Sequence, residues 1–210
     1  MPPSASFPRK RESTLGQQRG AALDPRLRGG DNQSSKARRY VLPDVLVPNL
    51  ITVFCGSAVG RKSALLRAPY AGPGNKFWPT LAAIGLTPRR LAPDEYATVL
   101  DYGIGLTDLT KSEFGSDAAL SGEADDPAAL ARKIARYRPR GLAFNGMRAA
   151  RVFFAARVAR GPAGYGRQAE MLGSTALFVL PSTSGAAVRY WDAQPWRALA
   201  AFLAAPGHST

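Results

Sequence analysis

The sequence predicts an α/β fold, a three-layer α/β/α arrangement with a short central parallel sheet. Short apolar runs typical of buried strands recur through residues 40–210, and segments whose apolar side chains have helical spacing separate them. Strands that alternate with helices favour a parallel sheet covered on both faces, because each helix returns the chain to the end where the previous strand began.

Three runs are the clearest strands. They are rich in β-branched and aromatic residues and occupy residues 50–55, 141–145 and 176–180. Residues 102–109 form a further strand-like or extended segment. In such a sheet, ligands bind beyond the carboxyl ends of the strands. We therefore expect a site in the loops that follow these runs.

Five helices are predicted between and after the strands. Asn75 can cap the first, a proline lies near the first turn of the second, and Asp126-Pro127 opens the third. The predicted helices cover residues 75–86, 93–100, 127–137, 147–158 and 193–203. Together with the strands they place one folded domain at residues 40–210.

The charge balance indicates attraction to polyanions. Lys and Arg number 28 against 15 Asp and Glu, a formal net charge of +13. Nucleic acid is the first partner this predicts and an anionic membrane the second, although a basic tail beside an ordinary enzyme would give the same balance. Residues 1–39 hold many of these charges and few apolar side chains, so we interpret them as a disordered basic extension. Their sequence is similar to that of a translated dispersed genomic repeat.

Cysteine and histidine are almost absent, which narrows the chemistry. Cys55 and His208 are the single residues of their types, so a disulfide within the chain, a four-cysteine iron–sulfur cluster and a Cys/His zinc site are excluded. No metal and no cofactor are expected. His208 lies three residues from the end and is a poor candidate for a general base, which leaves carboxylates, hydroxyls and backbone groups. We see no membrane-spanning run and no signal peptide, and we expect a cytoplasmic, nucleoid-associated protein.

Two segments after the first strand suggest a flat ligand. In residues 54–63, Gly56 and Ser57 begin a turn of small residues whose N–H groups can hold an anionic oxygen, although such a turn is also a common strand-to-helix connection. Ser63 ends this segment as a candidate DNA contact. In residues 69–78, Tyr70 lies in a loop of prolines and glycines and is a candidate platform for stacking a base. Phe77 and Trp78 are expected in the core.

Two later segments carry polar groups at strand ends. Asp108 lies within an apolar frame in residues 101–111, as a structural cap or a catalytic base, and Asp101 is its exposed competitor. Lys111 is a candidate DNA contact. Asn145 and Ser182 follow the later strands and are expected to contact substrate. The hydroxyl-rich turn that ends in Ser184, Gly185, Ala186 and Arg189 suits phosphate contacts, with a helix cap as the alternative.

Taken together, the four segments resemble the mismatch-specific uracil/thymine DNA glycosylases of the uracil-DNA glycosylase superfamily. The joint pattern is a strand ending Phe-Cys-Gly, then Ala-Gly-Pro-Gly-Asn-Lys-Phe-Trp, then Tyr-Gly-Ile-Gly-Leu-Thr, then Leu-Pro-Ser-Thr-Ser-Gly. The similarity extends from about residue 42 to residue 203. It implies a monofunctional glycosylase that flips uracil out of DNA and hydrolyses its bond to the sugar, without metal or cofactor. A monomer is the simplest expectation for its oligomeric state.

The resemblance also implies roles for particular residues. Tyr70 matches the aromatic residue that stacks on the flipped uracil, and backbone groups at Gly56 and Ser57 match those that contact it. The segment Ser184, Gly185 and Ala186 matches the one that enters the DNA groove, although Ala186 is small for a wedge.

One position departs from the family pattern. Ala58 stands where close relatives carry an Asn that positions the attacking water. Either the protein is a non-catalytic binder of damaged or abasic DNA, or another residue activates water, for which Asp108 is the candidate. Uracil is the favoured target, and mismatched thymine, hypoxanthine and the preference for single or double strands stay open.

Overall fold

A computed structural model of the protein describes residues 40–158 and 160–206. The expectations for residues 1–39 and for His208 lie outside this range. Within the described residues, no helix combines the length and the apolar character needed to cross a bilayer.

A five-stranded sheet forms the centre of the domain. Its strands are β1 (Thr52–Gly56), β2 (Ile104–Asp108), β3 (Gly141–Asn145), β4 (Gly166–Leu172) and β5 (Thr175–Leu180). They lie in the order β2-β1-β3-β5-β4. The pairs β1–β2, β1–β3 and β3–β5 are parallel, and β4 pairs antiparallel with β5 at one edge. Four parallel strands therefore end at the same edge of the sheet.

Helices connect the strands. They are α1 (Arg61–Leu66), α2 (Phe77–Ala83), α3 (Pro127–Tyr137), α4 (Met147–Arg157) and α5 (Gln194–Ala204). Shorter 3-10 turns cover Pro93–Tyr102, Asp117–Ala119 and Gly185–Tyr190. Helix α3 shows how the sequence sets a boundary: Pro127 occupies the first turn, and the Asp126 carboxylate accepts a bond from the Ala129 N–H at 2.7 Å. A cap of this kind stabilises a helix by about 1 kcal/mol.

Two apolar clusters lie on opposite faces of the sheet. On one face, Phe54 packs against Phe77 and Trp196, and on the other, Phe144 packs against Phe153 and Phe154. All six side chains are at most 1% exposed. Because successive residues of a strand point to opposite faces, both faces of the sheet must be covered, which confirms the predicted three layers.

Three elements differ from the sequence prediction. Strand β4 and helix α1 were not predicted, and Pro93–Tyr102 is a 3-10 helix of ten residues. In β4 only Gln168 is buried, so the run Gly166–Leu172 lacks the apolar pattern of a core strand, and its pairing with β5 defines it. An edge strand with one face in solvent needs few apolar residues.

Candidate active site

The parallel register brings the ends of four strands together. Gly56 lies opposite Asp108 across the β1–β2 pair, and Asn145 lies opposite Leu180 across the β3–β5 pair. The loops that follow these positions therefore meet at one edge of the sheet. This is the edge at which sheets of this kind bind ligands.

An open cavity of about 680 Å³ lies among these loops. All six residues predicted to act on the base or the sugar line it, namely Gly56, Ser57, Tyr70, Asp108, Asn145 and Ser182. Four of the predicted DNA-contact residues also line it, namely Ser63, Ser184, Gly185 and Ala186. Residues that lie up to 130 positions apart in the sequence thus share one concave surface.

Asp108 ends β2 with its carboxylate on the cavity. Its side chain is 16% exposed, and its Oδ2 lies 3.7 Å from the ammonium of Lys111. Burial raises the pKa of Asp108 above its usual value of 3.8, while the nearby charge of Lys111 opposes the rise. A partly buried carboxylate with raised basicity suits a general base, provided that it stays ionised near neutral pH.

The turn after β1 has its carbonyl groups occupied. The carbonyls of Gly56 and Ser57 accept bonds from the N–H groups of Leu109 and Thr110, each at 2.9 Å. In a trans peptide the C=O and the following N–H point in opposite directions. The N–H groups of Ser57 and Ala58 therefore point away from Leu109 and Thr110, as donors for an oxygen of a bound ligand.

Tyr70 offers one ring face to a ligand. Its other face stacks on Phe77, with the ring centroids 3.8 Å apart and the planes at 20°. The backbone has a φ of 56°, which few non-glycine residues adopt without a reason in the surrounding structure. Burial raises the pKa of the Tyr70 hydroxyl well above its usual value, so the hydroxyl stays neutral, and the Asn145 amide is within its hydrogen-bonding reach.

Asn145, at the end of β3, forms hydrogen bonds with the loop that follows β5. Its Nδ2 donates to the Thr183 hydroxyl at 2.8 Å, and its Oδ1 accepts from the Thr183 N–H at 3.0 Å. The Thr183 carbonyl in turn accepts from the Lys76 N–H at 2.8 Å. The Asn145 oxygen is therefore taken by Thr183, and one N–H of the amide is left for the region of Tyr70.

Hydroxyl groups shape the loop after β5. The Ser184 N–H donates to the Ser182 hydroxyl at 3.2 Å, and the Ala186 N–H donates to the Ser184 hydroxyl at 3.4 Å. Gly185 packs closely on the loop of residues 69–78, where a Cβ added to Gly185 would lie 2.7 Å from the Pro73 carbonyl oxygen. Ser184 therefore caps the 3-10 turn Gly185–Tyr190 and also lines the cavity.

Two predicted DNA contacts are corrected by the structure. Lys111 is only 7% exposed and faces carboxylates, so its ammonium is not available to a phosphate. Ser63 is 4% exposed, and its hydroxyl accepts a bond from the Ala71 N–H at 2.9 Å, which holds the loop that carries Tyr70. Arg189 is exposed, as its proposed contact with DNA requires, and Asp101 is an exposed surface residue.

The buried charged groups that surround Asp108 were not predicted from the sequence. Asp44 forms ion pairs with Lys133 at 2.6 Å and with Lys111 at 3.0 Å, and it accepts a hydrogen bond from the Thr107 hydroxyl at 2.7 Å. Asp44 lies before β1, and Lys133 belongs to α3. Their distance in the sequence left no motif that could have linked them.

Among the described residues no group of three or more His, Cys, Asp and Glu side chains could hold a metal ion. The charged groups around Asp108 include lysines, which repel cations. The arrangement is that of an organic ligand site built from backbone donors, an aromatic ring and one carboxylate.

An α/β fold with a cavity at the carboxyl ends of its parallel strands has the architecture of a ligand-binding domain. The model of the uracil DNA glycosylase superfamily matches residues 43–204, and the chain belongs to this superfamily of DNA glycosylases. A solution NMR structure of a candidate uracil DNA glycosylase from Methanosarcina acetivorans is similar to it, at 25% sequence identity and a TM-score of 0.56. The similarity covers 79% of this chain and 98% of that one.

Proposed function

We propose that the protein excises uracil from DNA by flipping the base out of the helix and hydrolysing the N-glycosidic bond. The observation that carries the proposal is that Asp108, Tyr70 and the Gly56–Ser57 turn line a single cavity. Flipping is required because the bond to be cut is out of reach while the base is stacked. Uracil-containing DNA is the partner, and the protein acts as a monomer.

The cavity supplies a place for the extruded base. Tyr70, backed on one side by Phe77, offers its other face to the ring of the pyrimidine. Stacking on an aromatic side chain is worth roughly 1–3 kcal/mol per base. The second N–H of the Asn145 amide, which Thr183 does not use, would donate to a carbonyl oxygen of uracil.

Hydrolysis proceeds through a sugar with cationic character. As the C1′–N1 bond breaks, its electron pair moves onto uracil, and negative charge grows on the carbonyl oxygens of the base. The N–H groups of the Gly56–Ser57 turn donate to one of these oxygens, and fixed donors of this type favour the charge-separated state. The DNA phosphates and the ionised Asp108 favour the positive sugar.

Asp108 also activates water. A water oxygen forms the new bond to C1′ while its proton passes to the Asp108 carboxylate, and the uracil anion then takes up a proton from solvent. General-base catalysis of this kind typically contributes about 100- to 10,000-fold. Asp108 thereby performs the task for which Ala58 has no polar group.

A duplex oligonucleotide with one labelled uracil tests the proposal. The protein is incubated with it, and abasic sites are then converted into strand breaks by alkali. We expect breaks at the uracil position, and D108N should lower the single-turnover rate by at least about tenfold. Undiminished excision by D108N would remove this residue from the mechanism.

A non-catalytic binder of damaged or abasic DNA is the second candidate function. The presence of Ala58 on the cavity wall favours it, because Ala58 cannot position a water molecule. Tight binding of uracil or abasic DNA without any alkali-sensitive product would support this function and contradict excision.

The lesion range needs a panel of substrates. Uracil opposite guanine, uracil in a single strand, mismatched thymine and hypoxanthine are compared under identical single-turnover conditions. We expect uracil to be excised fastest, and a faster reaction on hypoxanthine or thymine would reassign the target base.

A further inference from the structure

A buried network of two lysines and two aspartates lies behind the cavity. The Lys111 ammonium is 3.0 Å from Asp44 and 3.7 Å from Asp108, and the Lys133 ammonium is 2.6 Å from the other oxygen of Asp44. The exposed fraction of the four side chains lies between 8% and 18%. Thr107 completes it by donating to Asp44 at 2.7 Å.

The charges of this network balance only when Asp108 is ionised. Two ammonium groups then face two carboxylates, whereas a protonated Asp108 leaves one excess positive charge in a region largely shielded from water. Unbalanced charge is costly in such surroundings. The two lysines therefore oppose the effect of burial, which raises the pKa of Asp108.

Lys111 is the member that connects Asp44 to Asp108. Among the described residues, the Nζ of Lys111 is the one buried side-chain polar atom that has no well-aligned hydrogen bond. Its contacts with the two carboxylates are ion pairs. An ammonium held in this way acts on both carboxylates as a shared positive charge. The two carboxylates also repel each other, so the negative charge of Asp44 raises the pKa of Asp108.

The groups that face Asp108 come from every neighbouring element. They are Lys111 from the loop after β2, Lys133 from α3, Asp44 from the segment before β1, Cys55 from β1 and Tyr70 from the loop after α1. The pKa values of Cys55 and Tyr70 are raised well above their usual values, so both stay neutral near neutral pH. The charges that act on Asp108 are therefore those of the two lysines and Asp44.

We propose that Lys111 is a positioning residue, which keeps Asp108 ionised and directed at the cavity, and that Asp44 limits this effect because its negative charge repels that of the Asp108 carboxylate. The inference rests on the proposed role of Asp108 as the base. It adds residues that contact neither DNA nor the base and that act through Asp108 alone.

The test follows the ionisation of Asp108 directly and through excision. Protein labelled with ¹³C at the aspartate carboxyl carbons is titrated by NMR, with D108N used to assign the signal, and the single-turnover excision rate is measured over the same pH range. The proteins compared are wild type, K111M, D44N and, as control, R132M. Arg132 is an exposed residue of α3 next to Lys133 in the sequence.

K111M and D44N should move Asp108 in opposite directions. Removal of the positive charge in K111M should raise the pKa of Asp108 by about one unit or more, because a nearby opposite charge lowers a carboxyl pKa by about 1–3 units. The acidic limb of the excision profile should move to higher pH, and the rate should return toward wild type above that limb. D44N should move the titration and the limb to lower pH, and R132M should leave both unchanged.

Each result decides for or against the network. An Asp108 signal in K111M that titrates as in wild type overturns the proposal, as does a loss of excision that is equal at every pH. If K111M does not fold, a shift of the D44N titration to higher pH overturns it. Should wild type fail to excise uracil, the proposed function fails, and the NMR titration still reports whether Lys111 and Asp44 set the ionisation of Asp108.

Discussion

Gly56 leaves the space that the Asp108 carboxylate occupies. A Cβ atom built on Gly56 would lie 2.6 Å from the Asp108 Oδ1, which is closer than real Cβ contacts. The two residues are partners in the register of β1 and β2. The absence of a side chain at the end of one strand is therefore what lets the carboxylate of the next strand turn toward the cavity.

We predict that G56A impairs excision far more than it impairs stability. The Asp108 carboxylate can rotate away from the added methyl group, so the free energy of unfolding changes little. In that rotated position, however, Asp108 no longer activates the attacking water. We expect a decrease of at least about tenfold in the single-turnover rate, which is a partial loss of the roughly 100- to 10,000-fold that a general base contributes. G161A is the control, since a Cβ at Gly161 meets nothing within 4 Å. Equal rates for the two variants would contradict the relationship.

Substitution of Tyr70 should separate the ring from its hydroxyl. Y70A removes the stacking surface, and excision should fall roughly 5- to 150-fold, as expected from a loss of 1–3 kcal/mol. Y70F retains the ring on Phe77 and should stay within a few-fold of wild type. Single-turnover kinetics on a uracil-containing single strand provide the measurement, and a Y70A rate equal to that of wild type would exclude stacking.

Asp108 and Asp44 should have opposite effects on the pH dependence of stability. The pKa of folded Asp108 is raised, so the native state binds its proton more tightly than the unfolded chain, and stability falls as pH rises from 3.8 through the raised value. The pKa of folded Asp44 is lowered, so its contribution is present above 3.8 and is lost as pH falls through the lowered value.

The raised pKa indicates that burial of the ionised Asp108 carboxylate costs more than its attraction to the two lysines returns, so at pH 7 D108N should unfold at a higher denaturant concentration than wild type. D44N should lose about 2–3 kcal/mol, somewhat less than a fully buried broken pair, because Asp44 is 18% exposed. Urea denaturation at pH 7 and at pH 4 measures both. A D108N protein that is less stable than wild type at pH 7 would contradict the direction given for Asp108.

The Asn145–Thr183 clasp should appear as a coupling energy. N145A and T183V each break the bond between the Asn145 amide and the Thr183 hydroxyl, so the double variant should be less destabilised than the sum of the two. Residues in one hydrogen-bond network couple by about 0.5–3 kcal/mol. Denaturation of the four proteins in the cycle tests this, and additivity would show that the two side chains are independent.

Arg189 should contribute one phosphate contact. R189A should weaken DNA binding equally for all sequences and reduce the slope of log affinity against log salt by about 0.9. The control is R136A, since Arg136 is exposed in the last turn of α3, at the edge of the sheet opposite the cavity. An unchanged slope for R189A would place Arg189 outside the DNA interface.

Local patterns account for the parts of the fold that were predicted correctly. The apolar runs at 141–145 and 176–180 are buried strands, and the cap at Asp126 with Pro127 marks the start of α3. These features depend on residues close together in the chain, so their periodicity and capping chemistry can be read directly. Strand β4 was not predicted, because a strand at the sheet edge needs few apolar residues and so lacks a recognisable apolar pattern.

The same distinction applies to the site. The position of the cavity could be predicted, because parallel strands end at a common edge of the sheet. The features that indicated it are the small residues at Gly56 and Ser57, the loop residue Tyr70, and Asp108 among apolar residues. The burial of Lys111 was not foreseen, since a lysine near a strand end resembles any surface cation until Asp44 is placed beside it. Asp44 lies 67 positions from Lys111 and 89 positions from Lys133, so a linear pattern does not show these ion pairs.

Sequence alone determined the layered α/β fold and the four loops that gather at one edge, because strand and helix propensity and capping are local properties and parallel strands end at a common edge. Only the tertiary structure decided which charges face Asp108, which face of Tyr70 is free and which predicted DNA contacts are buried. These depend on distances of a few ångströms between segments remote in the chain, and burial and Coulomb energy vary steeply over such distances.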